Sequence, residues 1–387
     1  MVTQDSTSVS HSADPAAFVR KVGKGRTLLK SLDRAEAAAA FALLLRGAFT
    51  DAQAGAFLQA LRIKELGPDE LEGLMDSFRA LQPPVVPALP AGGFVLNLAS
   101  DTQRKGGYAS LLAAAALARE GLPVGVIRSE PVLTGNRASW EQTWDLVTGA
   151  AFHPPHSSPL PQQGSGEETA ADAAGPGTGC EAGCDGAHHP PASLCVVETN
   201  DLVSALRGLR RIRAELGFRS CLHTAEKLLN PWADKPLVLG ISHRHYAARL
   251  CDHFARQGRT ARIVLGNHGT PDLVLHKETE VWEVLPGGTM RTVLVHPEDL
   301  GLAPDPAVYT LGAFPRWAEE WRQPGHGRLG PVVDYHLAFF RYVTGAPSGA
   351  LAPRAAAASP FPPQAVADAP ADTTDPASAT TNTKGHA

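Results

Sequence analysis

From Phe18 to about Leu81 apolar residues recur at helical spacing, whereas the first fifteen residues are rich in Ser, Thr and Asp and carry no such period. The pattern predicts a disordered segment over 1–17 and a separate helical domain over 18–82. Within that domain Asp33 stands three residues before Glu36, the spacing of a capping box, ahead of an Ala/Leu run that stops at Gly47. Thr50 caps a second helix with Ala54, Phe57, Leu58 and Leu61 on one face, and Gly67-Pro68 opens a third. Three short helices with tight turns make a small bundle. The prolines from Pro83 to Pro90 then disfavour helix and read as a stiff connector.

Beyond the connector the period changes. Phe94 to Leu98 is a short apolar strand, Ser110 to Glu120 an Ala/Leu helix, and Leu122 to Ile127 a second strand, which is one βαβ unit. A second unit runs from the strand Leu237–Ile241 through a helix capped by Ser242, with Tyr246, Leu250 and Phe254 on one face, past Gly258 to the strand Arg262–Leu265. Successive βαβ units predict a mostly parallel sheet covered by helices. Glu280–Leu285 and Arg291–Val295, on either side of Pro286-Gly287-Gly288, read as a hairpin at the sheet edge. The α/β domain therefore spans 83–345. It is interrupted by a Pro, Gly, Ser and Ala rich insertion at 151–192 and followed by a tail of similar character at 346–387, and neither stretch needs to fold.

Composition narrows the function classes modestly. With 35 basic and 39 acidic residues the net charge is -4, so attraction to nucleic acid or anionic lipid has to come from a local patch. No apolar run resembles a secretory signal or reaches membrane-spanning length, so a cytoplasmic protein without a membrane partner is expected. Five cysteines argue against a complete disulfide framework. Cys180, Cys184, His188 and His189 are zinc-ligand types in a short window, but that window is low-complexity sequence without apolar residues to rigidify a site.

Several stretches carry a resemblance. These are Arg20-Lys21-Val22-Gly23-Lys24-Gly25-Arg26; Leu32-Asp33-Arg34-Ala35-Glu36-Ala37; Gln53 to Leu58 and Ala60 to Lys64; and Leu216 to Pro231, which contains Arg219, His223-Thr224 and Lys227-Leu228-Leu229-Asn230-Pro231. Together with Ser242 to Tyr246 and Pro297 to Leu302, they resemble the anthranilate phosphoribosyltransferase family, and more specifically its YbiB-type DNA-binding paralogues. The resemblance covers roughly 18–150 and 193–343. It implies a small N-terminal helical domain plus a larger α/β domain of the nucleoside phosphorylase/phosphoribosyltransferase type, a cleft between them, and a homodimer formed through the helical domain.

The family's enzymes place Gly-Thr-Gly-Gly-Asp after the first strand, because bare main chain can crowd N–H groups around a diphosphate. Here the loop is Ser100 to Gly107, with Arg104 and Lys105 where glycines are expected; the two are phosphate contacts or solvated loop charges. Magnesium is held in the enzymes by an Asp-Glu pair, which Pro271-Asp272 replaces, so Asp272 is at most a weak metal candidate and otherwise a turn or cap. The enzymes' Lys-His-Gly-Asn-Arg after the second strand is Val126 to Glu130 here. These departures favour a non-catalytic, cofactor-free nucleic-acid-binding protein with little sequence preference. The alternative is a glycosyl- or phosphoribosyltransferase that uses phosphoribosyl pyrophosphate and magnesium.

For the binding reading the candidate phosphate contacts are Arg104, Lys105, Arg207, Arg210, Arg211, Arg219, His223, Lys227 and Asn230. Arg207, Arg210 and Arg211 cluster on one face of a helix expected over Asp201–Leu216, either for an anion or as a solvated face with Glu215 pairing Arg211. Lys21, Lys24, Arg26 and Lys30 suggest a basic arm or ordinary surface lysines. Tyr108, Trp140 and Trp144 are base-stacking candidates or core residues, and His243, His245 and His253 suit packing or surface roles better than a metal.

Overall fold

The structure is a computed structural model, which describes residues 14–24, 30–81, 86–99, 107–129, 140–148, 193–305, 314–349 and 351–356. The 151–192 insertion, with its Cys/His window, lies outside the described residues.

Among the described residues the helical domain contains α1 (Pro15–Val22), α2 (Arg34–Leu45), α3 (Asp51–Lys64) and α4 (Pro68–Arg79), of which α1 goes beyond the three helices that the periodicity suggests. Both expected capping boxes form. Asp33 Oδ1 accepts Glu36 N–H at 2.8 Å while Glu36 Oε2 accepts Asp33 N–H at 2.9 Å. Thr50 and Gln53 repeat the exchange. Glu36 also pairs with Lys21, which takes that lysine out of the expected basic arm. Helices α2 and α4 cross at Gly73, where a Cβ would stand 2.5 Å from the Arg34 carbonyl oxygen and 2.6 Å from Ala37 Cβ. Glycine is what lets the two backbones touch.

The α/β domain is one sheet with strand order β3-β2-β1-β4-β5-β6-β7-β8. β1 (Phe94–Asn97), β2 (Val124–Arg128), β3 (Leu194–Glu198), β4 (Leu237–Gly240) and β5 (Ala261–Val264) run parallel. β6 (Thr279–Val284), β7 (Met290–Val295) and β8 (Arg354–Ala355) continue antiparallel, so the hairpin lies on the side expected of it. Side chains alternate between two cores, as strand geometry requires. Val95, Ile127, Leu239 and Ile263 face the core shared with the helical domain. Phe94, Leu96, Val126 and Val264 face the other, beneath α5 (Ala109–Arg119) and α12 (Leu329–Thr344). The strands are apolar on both faces because both faces are covered.

Three expectations need correcting. The single helix over 201–216 is instead α7 (Thr199–Leu202), a 3-10 turn at Ser204–Leu209 and α8 (Arg210–Leu216). The break falls at Val203, which is extended at φ -137 and ψ 82. β3 was not foreseen, and the tail expected to be structureless contributes β8 and the buried Leu351. The remaining helices are α6 (Trp140–Thr148), α9 (Cys221–Glu226), α10 (Arg244–Arg256) and α11 (Phe314–Arg322). Among the described residues no helix is long and apolar enough to cross a membrane.

Candidate functional site

In an open parallel sheet, loops on the two sides of the point where strand order reverses diverge and leave a crevice at the carboxyl ends of the strands. Here the order reverses between β1 and β4. The described borders of the crevice are residues 98–99 at the start of the loop after β1, the loop after β4 leading into α10, and the loop 265–272 after β5.

Its frame is built from buried polar side chains. Asn97, the last residue of β1, donates to the carbonyls of Glu226 and Leu229 at 3.0 and 3.1 Å and accepts the Ala99 N–H at 2.8 Å. Lys227 Nζ donates to the carbonyls of Gly240 and Gly269, both at 2.5 Å, and so ties the ends of β4 and of the 265–272 loop to α9. The two chains meet closely because residue 240 is glycine: a Cβ there would lie 1.9 Å from the carbonyl carbon of Thr270. Beneath α9, Arg213 and Glu226 form a two-pronged ion pair, 2.8 Å on each arm, with side chains 4% and 2% exposed. Burial makes this pair valuable only while it is intact.

Asp272 is fully buried. Its Oδ1 accepts the Ser110 N–H at 2.8 Å, in the first turn of α5, and its Oδ2 accepts the Thr270 hydroxyl at 2.6 Å. A carboxylate at a helix amino end is stabilised by the exposed N–H groups and by the helix dipole. His336 Nε2 lies 3.8 Å away, yet the two do not form an ion pair. His336 Nε2 accepts the Leu273 N–H at 2.8 Å, and its Nδ1 faces the Val332 carbonyl at 2.7 Å and must donate to it. Those two contacts fix the neutral tautomer, and complete burial lowers the imidazole pKa in the same direction.

This geometry decides the metal question at position 272. Both carboxylate oxygens already have partners, residue 271 is proline, and no group of three or more acids, histidines or cysteines suited to a metal occurs among the described residues. Magnesium does not fit there. Asp272 caps α5 from across the crevice, so an anion arriving at that helix end finds the Ser110 N–H taken.

The other sequence candidates fall in separate places. Arg104 and Lys105 lie outside the described residues. Arg207 pairs with Asp201, and Arg211 pairs with Asp51 of the helical domain and with Glu215 at 2.7 Å, as the i, i+4 spacing allows. Carboxylates of this chain therefore answer Arg207 and Arg211 of that like-charge cluster. Arg210 sits beside Arg213, and its pKa is lowered by burial and by that neighbour. Arg219 is half-buried just before α9. His223 is buried, and its Nδ1 accepts the Ser220 N–H at 3.1 Å at the start of α9. Asn230 accepts the Trp232 N–H at 2.9 Å and shapes a turn. Lys227 thus holds the crevice together, while His223 serves the start of α9 and Asn230 the turn ahead of β4.

Tyr108 and Trp140 are core residues, 1% and 6% exposed. Arg128, at the end of β2, lies 3.8 Å over the Trp140 ring and pairs with Glu198. The exposed groups on the carboxyl edge are ones whose sequence context suits packing or surface roles, or carries no signal. His243 and Arg244 follow β4, and His268 follows β5 in a left-handed conformation with φ 51. Arg244 pairs with Glu280. The short polar run between an apolar strand and the next helix was the available signal.

Comparison with known proteins agrees with this architecture. The glycosyl transferase family helical bundle domain matches residues 16–81, and the glycosyl transferase family a/b domain matches residues 190–310. An anthranilate phosphoribosyltransferase from Corynebacterium glutamicum is 30% identical over 98 residues, a stretch that spans 28% of that protein and 25% of this chain. One from Methylocella silvestris is 28% identical over 306 residues, 79% of this chain and 78% of that protein. In fold, the chain is similar to anthranilate phosphoribosyltransferase from Thermus thermophilus, with TM-score 0.58 and 20% identity, covering 85% of this chain and 89% of that one. It is also similar to the Saccharomyces cerevisiae enzyme in complex with PRPP and Mg, with TM-score 0.59 and 15% identity, covering 86% and 90%.

Proposed function

We propose, for a chain that carries both domains of the glycosyl transferase family in their order, a glycosyl- or phosphoribosyltransferase activity of the anthranilate phosphoribosyltransferase type, with a phosphorylated pentose bound in the crevice at the carboxyl ends of β1 and β4. One observation carries this reading. Similarity to anthranilate phosphoribosyltransferases runs through more than three quarters of both chains in the Methylocella silvestris protein, and so through the segments that build the crevice. In such a transfer the bond from the sugar C1 to the diphosphate oxygen breaks, a bond from C1 to the acceptor nitrogen forms, and that nitrogen gives up a proton. His243 and His268 are the imidazoles this edge offers to take it. Asn97, Lys227 and Asp272 act by holding the three loops in register. No step is assigned to a metal at position 272.

A second reading is favoured by the commitment of Asp272 together with the Arg104-Lys105 sequence between β1 and α5. In that reading the crevice has lost transfer chemistry and binds the phosphates of DNA, as a homodimer formed through the helical domain. One preparation separates the two. Incubation with phosphoribosyl pyrophosphate, magnesium and anthranilate should extinguish anthranilate fluorescence if the transferase reading holds. Unchanged fluorescence, with DNA affinity that falls steeply as salt rises, would replace it with the second reading.

A further inference from the structure

A groove of about 420 Å³ opens where the end of the helical domain meets the sheet. Its lining is mostly apolar, with Met75, Phe78, Leu202 and Leu228 as its larger hydrocarbon side chains, and it also includes Asn230, Gln257 and two guanidinium groups, Arg79 and Arg259. Arg259 lies two residues before β5, at the amino ends of the strands, whereas the crevice lies at their carboxyl ends.

The charges of this groove are incompletely answered. Asp76 serves Arg79 and Arg34 together, one carboxylate for two cations. Arg259 donates to the neutral carbonyl of Asn230 at 2.8 Å, and no carboxylate lies within ion-pair distance of it among the described residues. Burial lowers the Arg259 pKa, and repulsion from Arg79 lowers it further, so the pair stands in a conformation that an incoming anion would relieve. Apolar walls with a few convergent cationic groups suit a ligand with a hydrocarbon body and a single anionic head.

We propose that this groove binds a small apolar carboxylate, its chain against Met75, Phe78, Leu202 and Leu228 and its head between Arg79 and Arg259. The site is separate from the crevice and is independent of which function the crevice performs. Because its walls come from both the helical domain and the α/β domain, a bound carboxylate stabilises their junction.

The test uses octanoate as probe against the full chain, with 1-octanol as its uncharged counterpart, read by calorimetry and by the thermal midpoint. Octanoate is expected to bind in the submillimolar range and raise the midpoint, with 1-octanol weaker by about tenfold. Arg79→Gln, at a half-exposed position, should weaken octanoate binding by about fivefold to tenfold and leave 1-octanol binding unchanged. Arg259→Gln should do the same, and Arg79→Lys should recover part of the loss. Absence of octanoate binding at about 5 mM, equal binding of the alcohol, or binding indifferent to both Arg79→Gln and Arg259→Gln would overturn the proposal. Phosphoribosyl pyrophosphate should leave octanoate binding unaffected, and competition between them would place the probe in the crevice instead.

Discussion

Asp272 offers the sharpest test of how the crevice is built, because a helix cap and a metal ligand respond differently to the same two substitutions. In Asp272→Asn, the remaining carbonyl oxygen can keep the Ser110 N–H. The new amide can donate to Thr270 Oγ1, whose own proton can then turn to the Asn267 carbonyl, 2.7 Å away. What is lost is the charge at the α5 terminus, about 1 kcal/mol, and part of that is returned because a buried carboxylate no longer has to be desolvated. Asp272→Ala removes both acceptors. It leaves the Ser110 N–H buried without a partner, at about 1–3 kcal/mol, and opens a small void worth roughly 1 kcal/mol more. Urea unfolding should therefore place Asn within about 1 kcal/mol of the parent and Ala about 3 kcal/mol below it. Repeating both with millimolar magnesium should shift parent and Asn variant equally. Asn as damaging as Ala, or a magnesium-dependent gain that disappears in the Asn variant, would refute the cap assignment.

Other outcomes follow from the same structure. Arg213→Met strands the Glu226 carboxylate in the interior and should cost about 3–5 kcal/mol, while the double change Arg213→Met/Glu226→Leu should recover most of it; both are read from urea midpoints. Gly240→Ala forces β4 away from Thr270 and should cost at least about 2 kcal/mol, with faster amide exchange at the 265–272 loop. The Arg34 and Arg79 guanidinium groups hold the Asp76 pKa down from 3.8 to about 2. A depressed acid contributes stability in full above its unfolded pKa and loses it as pH falls towards the folded value. The parent should therefore lose roughly 1 kcal/mol between about pH 5 and pH 2, after discounting for the partial exposure of the site, and Asp76→Asn should not.

The legible parts of the fold were those with local causes. Asp33 with Glu36 and Thr50 with Gln53 announce helix starts within four residues, and the structure closes both boxes. The turn at Pro286-Gly287-Gly288 joins antiparallel strands, as its residues demand. Non-local causes were hidden. β3 follows the low-complexity insertion, and its five residues gain strand pairing only because β2 lies beside them. β8 is recruited by β7 from a tail whose own composition carries no period. The stripe from Leu202 to Leu216 does turn inward, but the chain satisfies it with three short pieces bent at Val203, a break that leucine spacing cannot signal.

The site was legible in identity more than in role. His223, Lys227 and Asn230 are phosphate-contact candidates because they stand in the segment that resembles the family, yet each makes a side-chain hydrogen bond to the main chain of this protein. By sequence Asp272 is a weak metal candidate or else a turn or cap residue. It is a cap for a helix 162 residues away in sequence, which no local pattern could reveal. Asn97 carries no signal of its own in the sequence, where it is one residue of the strand Phe94–Leu98, and only the folded chain shows the carbonyls it reaches.

The central claim, that a phosphorylated pentose occupies the crevice where strand order reverses, is tested most directly by amide hydrogen exchange with and without phosphoribosyl pyrophosphate. Protection is expected at 97–99, at 241–244 and at 266–272, while β6 and β7 remain unchanged. Unaltered exchange in all three segments at saturating ligand, or protection confined to another surface, would contradict it.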